Sequence, residues 1–211
     1  MKGLIVKDLL LLKNQGKTLL LLLACGAVMS MSFEPQTVIV YLTMIGGMVA
    51  MGTLSYDEMD KGYSYLLTLP VTRKMYVREK YLLCVLWTAC CAVIGTAVCT
   101  VITLVSGQKP DMADLCLYGL GALLGICLVI ALMIPFRLKF GSEKGRIVLY
   151  AFIVLCAVAF ILMQRLSGAK LPEWVANVNP QSALGVSAAA ACLLVVLSEQ
   201  IAERIMVKKE F

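Results

Sequence analysis

The chain contains no histidine. Imidazole is the commonest metal ligand and the commonest general base near neutral pH, so metal-assisted hydrolysis and His-based nucleophilic catalysis lose their usual residue. Charge is scarce too: Asp, Glu, Lys and Arg make up 15% of the 211 residues, against about a quarter in an average soluble domain. Nine cysteines are present without a single CxxC, nearly all inside apolar blocks, singly or as the pair Cys90-Cys91. Cysteine in such places is a small apolar filler, and no metal site is expected. A nucleotide-binding loop is also missing. Gly16-Lys17-Thr18 has the sequence of its last three residues, but position 11, where its first glycine belongs, is Leu11, and no strand precedes it.

What the chain has in excess is apolar residues, 61% of the total, gathered into long blocks with short polar breaks. No polar stretch is long enough to enclose a soluble core of its own, so the bilayer is the solvent. A span needs about 20 mostly apolar residues to cross about 30 Å of hydrocarbon. Such blocks occur near Thr18–Phe33, Gln36–Tyr56, Tyr81–Ser106, Met112–Phe136, Ile147–Arg165 and Ser182–Ile201. The pattern predicts an all-α integral membrane protein of about six transmembrane helices. The first block ends in Met29-Ser30-Met31-Ser32-Phe33 and not in a small-x-small site, so it is expected to stay as a helix, not to be cleaved. The net charge of +6 does not indicate nucleic acid, because the basic residues cap apolar blocks and do not form a stripe with interleaved aromatics.

Orientation follows from the basic residues between spans. One side holds Lys2, Lys7, Lys13 and Lys17; Lys61, Arg73, Lys74, Arg78 and Lys80; Arg137, Lys139, Lys144 and Arg146; and Arg204, Lys208 and Lys209. That side has sixteen, and the other has three, Lys109, Arg165 and Lys170. Both termini are therefore expected in the cytoplasm, with the chain multi-pass in the cell membrane.

Two segments on the basic side carry a pattern of their own. Residues 1–17 read as an interfacial helix, with Lys7, Asn14 and Lys17 along one side and Ile5, Leu9 and Leu12 opposite. Lys2, Lys7, Lys13 and Lys17 are the expected membrane-surface residues, their stems lying on the apolar boundary. Residues 57–80 form the longest polar connection. As a helix they place Asp57, Lys61, Ser64 and Thr68 in one stripe and Met59, Tyr63, Leu66 and Pro70 in the other. Asp57 and Lys61 have i,i+4 acid-before-base spacing. Pro70 ends that helix, and Thr72 can cap a new one running through Arg73–Lys80 into the third span.

Within the spans, Gly46 and Gly47 with Ala50 and Gly52, and Gly121-x-x-x-Gly125, permit close helix approach. Ionisable groups are confined to span ends, as with Glu34, Asp111, Asp114 and Arg165. Ion-driven carriers hold such groups at membrane depth, and voltage sensors need an arginine-rich span. A lipid-modifying enzyme would have only the interfacial Asp57, Glu58 and Asp60 to work with. No catalytic residue is assigned. What remains is a pathway or a scaffold whose energy comes from elsewhere.

The order of elements resembles the permease subunits of type-2 ABC exporters, in their small single-domain branch. The residues that carry the likeness are Met1-Lys2-Gly3-Leu4-Ile5-Val6-Lys7-Asp8-Leu9; Tyr56-Asp57-Glu58 with Lys61; Tyr65 through Lys74; and Lys80-Tyr81. The resemblance implies that residues 1–211 form one transmembrane permease domain. Two permease chains, identical or paralogous, would form an export pathway, with separate ABC ATPase subunits binding ATP and Mg beneath them. Residues 57–80 would then hold a coupling helix. Tyr56, Asp57, Glu58 and Lys61 would make polar contacts with the ATPase, Tyr63, Tyr65, Leu66 and Leu69 would pack against it, and Arg73 and Lys74 would face acidic surface or lipid phosphate. The implied substrate is an amphipathic or antimicrobial peptide or a lipid-like compound. The competing reading is an ATP-independent membrane scaffold, sensor or immunity protein.

Overall fold

A computed structural model of the chain describes residues 2–32, 36–58, 72–105, 112–141, 144–145, 147, 150–151, 154–155, 158, 161–162 and 180–208. Six helices are delimited: α1 (Lys2–Asn14), α2 (Gly16–Ser32), α3 (Gln36–Glu58), α4 (Arg73–Val105), α5 (Met112–Phe140) and α6 (Pro180–Lys208). The apolar blocks place them well, because in hydrocarbon only a helix satisfies every backbone amide and carbonyl within the segment.

Four of them, α3 to α6, are long and apolar enough to cross a membrane, or five spans if the bent pair α1–α2 counts as one. The expected six is therefore not reached among the described residues. The block at Ile147–Arg165 falls largely outside them. The block at Thr18–Phe33 lies in α2, whose 17 residues reach only about 26 Å. The chain bends by 59° between α1 and α2, around Gln15, whose carbonyl still accepts from the Leu19 amide at 3.0 Å.

The centre of the bundle is α3, packed most extensively on α4 and α5, with α6 against α5 and α4. Glycines let α3 in close. A Cβ on Gly46 would stand 2.4 Å from Cys91 Sγ, and one on Gly47 would stand 2.4 Å from Ile126 Cγ1. On α4, Gly95 admits the backbone of α3 at Ile39, 3.2 Å from a Cβ there. The outer faces stay apolar and uncovered, as at Leu20, Val93, Val101, Leu193 and Ile201, which suits a surface solvated by lipid.

Threonines inside the spans return their hydroxyls to their own helix, Thr43 to the Ile39 carbonyl at 2.7 Å and Thr88 to that of Cys84 at 2.9 Å. Pro135 lies inside α5 and has no amide to give the carbonyl four residues back, that of Ala131. The Ser198 hydroxyl of α6 donates to that carbonyl instead. Tyr81 of α4 sits 2.6 Å from the same hydroxyl, so one serine ties three helices at the proline.

The capping expected at Thr72 is present. Its Oγ1 accepts from the Met75 amide at 3.3 Å, and its carbonyl accepts from Tyr76 at 3.1 Å. Gly141, at φ +87°, ends α5 in the left-handed conformation that glycine adopts without strain. Its amide donates to the Arg137 carbonyl at 2.8 Å.

Candidate functional site

α4 has 33 residues and is about 50 Å long, well beyond the thickness of the hydrocarbon. Its first eight carry Arg73, Lys74, Arg78, Glu79 and Lys80. This end precedes the apolar run that starts near Tyr81; it lies beside α1 and the last turn of α3, and the charges there are gathered inward. Lys80 Nζ lies 2.7 Å from Asp57 Oδ2, donates to Thr53 Oγ1 at 3.3 Å and is ion-paired with Asp8. Lys7 Nζ lies 2.5 Å from Asp57 Oδ1 and 3.2 Å from Asp8 Oδ1. The Tyr76 hydroxyl donates to Asp57 Oδ2 at 2.9 Å, and its ring lies 5.5 Å from the Lys80 ammonium. Two lysines and two aspartates from three helices thus form a closed set. Lys80 and Asp8 are almost wholly withdrawn from solvent, at 1% and 0% exposure.

A buried charge is held only when paired and hydrogen-bonded. Burial alone would raise the Asp57 carboxyl, but Lys80 and Lys7 outweigh it and hold the group below its ordinary 3.8. Burial would lower Lys80, and Asp57 and Asp8 outweigh that, so its ammonium is held above the usual range. Glu79 is the odd member. It is 2% exposed, neither carboxylate oxygen has a hydrogen-bond partner, and burial pushes it up to about 7, with the Asp8 charge adding to the rise and Lys80 opposing it.

The face α1 turns inward is Leu4, Asp8 and Leu12, while Leu9 is exposed. Of the expected apolar side, Leu12 is buried, Ile5 half-buried and Leu9 exposed, and Asp8 joins the buried stripe through its ion pair with Lys80. Lys7, one of the expected membrane-surface residues, is ion-paired with Asp57 and Asp8. Lys13 and Lys17 are exposed, and the side chain of Lys2 lies outside the described residues.

The residues expected to contact a partner divide in three. Asp57 is in the closed set. Tyr56, Glu58, Arg73 and Lys74 surround it at the same end. The Tyr56 hydroxyl accepts from Gln15 Nε2 at 3.1 Å, and Glu58 is half-buried, its Oε1 2.5 Å from where a Cβ on Gly141 would stand. Arg73 donates to the Val207 and Met206 carbonyls at 2.9 and 3.3 Å, filling acceptors that the end of α6 leaves open. Lys74 is exposed and lines a shallow groove with Arg204 and Lys208. Lys61, Tyr63, Tyr65, Leu66 and Leu69 lie outside the described residues. Of the glycines, Gly46 and Gly47 are tight contacts, whereas a Cβ on Gly121 or Gly125 would meet nothing within 4 Å.

Sequence reasoning missed Asp8, Thr53, Tyr76, Glu79 and Lys80 as one site. Lys80 counted toward the topology of the chain and the family resemblance, not toward a site. Asp8, at i+4 from Leu4 and i−4 from Leu12, was the available sign that α1 buries a charge.

A family model described as ABC-2 family transporter protein matches residues 3–207. No curated protein and no solved structure matches the chain.

Proposed function

The chain belongs to the ABC-2 family of transporter proteins, and from that premise we propose that it is the permease subunit of an ATP-driven exporter. Two permease chains form the pathway across the cell membrane, and a separate ATPase subunit binds at the lysine-rich end, which faces the cytoplasm with both termini. The connection between α3 and α4 is the coupling element. Movement imposed on it by the ATPase passes to α3, α4 and α1 together.

The observation that carries this reading is the closed ion set at the two ends of that connection. Asp57 stands at the last turn of α3, and Tyr76 and Lys80 stand in the first turns of α4. A force on the intervening residues therefore acts on a braced junction and not on two loose helix ends. The substrate is an amphipathic peptide or lipid-like compound. Compatible with it is an apolar groove of about 670 Å³ between α5 and α6, lined among others by Leu128, Leu132, Phe136, Leu194 and Leu197.

The test is purification of the tagged chain in mild detergent, with identification of what accompanies it. The reading requires a co-purifying ATPase whose hydrolysis is uncoupled from the permease when Lys61 and Tyr65 are replaced by alanine. A lone chain, with no ATPase even after gentle crosslinking, overturns it in favour of an ATP-independent scaffold, sensor or immunity protein.

A further inference from the structure

Glu79 has no place in the ion set that surrounds it. The charges that act on it are Lys80 from its own helix, Asp8 and Lys7 from α1, and Asp57 from α3. The two lysines are already matched by the two aspartates, through four ion pairs. An ionised Glu79 is thus a third carboxylate, buried and without a hydrogen bond. On its other side Glu79 lines a cavity of about 490 Å³ between α1, α4 and α6, whose apolar walls include Ile5, Leu82 and Val195. The charged groups on that side are Arg78 and Glu199. They offer Glu79 no spare cation, because Arg78 Nε is 2.7 Å from Glu203 and 3.5 Å from Glu199.

We propose that Glu79 is a proton-binding site that sets how firmly α1 is held to the bundle. With the proton on, the cluster is neutral and α1 is latched through Lys7 and Asp8. With the proton off, the surplus negative charge repels Asp8 and competes with Asp8 and Asp57 for the two ammonium groups. The only member of the latch that can relieve this by moving to water is α1, the short helix that packs only lightly on α3, α4 and α2. The cavity beside Ile5 is the path by which the proton enters and leaves. Its raised affinity for a proton, near neutral pH, puts the switch in a range that cells reach. None of this depends on the exporter reading.

The experiment uses the full chain in phospholipid nanodiscs. Hydrogen–deuterium exchange of the α1 amides is followed against pH and corrected for intrinsic rates. Protection of α1 should fall about tenfold between pH 6 and pH 8, as linkage requires of a group at about 7 when α1 is docked and about 4.5 when it is free. Glu79→Gln, which copies the protonated form, should keep α1 protected throughout. A wild-type profile flat in pH, or the same fall in E79Q, overturns the proposal. Infrared spectroscopy of the wild type gives a second reading that needs no variant. A protonated-carboxyl band that disappears as pH rises through neutrality supports the assignment, and its absence at pH 6 refutes it.

Discussion

Lys80 holds Asp57 at 2.7 Å, with both side chains closed off from solvent, and this contact joins the two helices that flank the longest polar connection. Its strength lies in completeness. Each partner also meets a third residue, Lys7 for Asp57 and Asp8 for Lys80. Removing one member of such a set leaves a buried charge without compensation.

Lys80→Met is accordingly expected to destabilise the protein by about 3–5 kcal/mol, and Asp57→Asn by a similar but smaller amount. The double variant should recover part of the loss, because it removes both charges at once. Thermal unfolding in nanodiscs checks this. Strictly additive losses would show that the two residues do not act as a pair.

The pH response has two opposed parts. Glu79 lies above its ordinary 4.5, at about 7, so its contribution is complete below about 4.5 and is lost as pH rises through 7. Asp57 lies below 3.8, so its contribution is present above that value and disappears as pH falls through the lowered one. Unfolding midpoints measured from pH 3 to 8 should peak at mildly acidic pH. A midpoint that climbs steadily to pH 8 would contradict the assignment for Glu79.

Ser198→Ala leaves the Ala131 carbonyl without its donor and should cost about 1–3 kcal/mol. Pro135→Ala supplies an amide to that carbonyl. In the Ser198→Ala background it should therefore restore stability, most clearly in the same unfolding measurement. No rescue would mean that the serine acts through Tyr81 alone.

The two glycine patches should respond differently. Gly47→Ala puts a Cβ 2.4 Å from Ile126 Cγ1 and 2.9 Å from Thr88 Cγ2, and overpacking of this kind costs about 1–3 kcal/mol. Gly125→Ala meets nothing within 4 Å and should be neutral or slightly stabilising, since alanine is the better helix former by about 1 kcal/mol. A purified chain that loses stability equally at both positions would show that something covers Gly125.

The sequence by itself determined the solvent, the secondary structure and several boundaries. Apolar blocks with few charges require a bilayer, and a continuous apolar block of about 20 residues crosses it as a helix, so α3 to α6 were legible to within a few residues of most ends. Thr72 announced the start of α4 because a capping hydroxyl acts on amides only three residues away. These are local effects, and local effects can be read along a chain. Which charges meet was decided only by the tertiary structure. Asp8 and Lys80 belong to distant segments, and neither residue carries a mark of the other. The glycines show the same limit, since the patterns at Gly46-Gly47 and Gly121-x-x-x-Gly125 look alike, yet one faces Cys91 and Ile126 and the other faces open space. The facing of a helix depends on what packs against it, and the buried stripe of α1, Leu4, Asp8 and Leu12, is set by contacts with α3 and α4 that lie far along the chain.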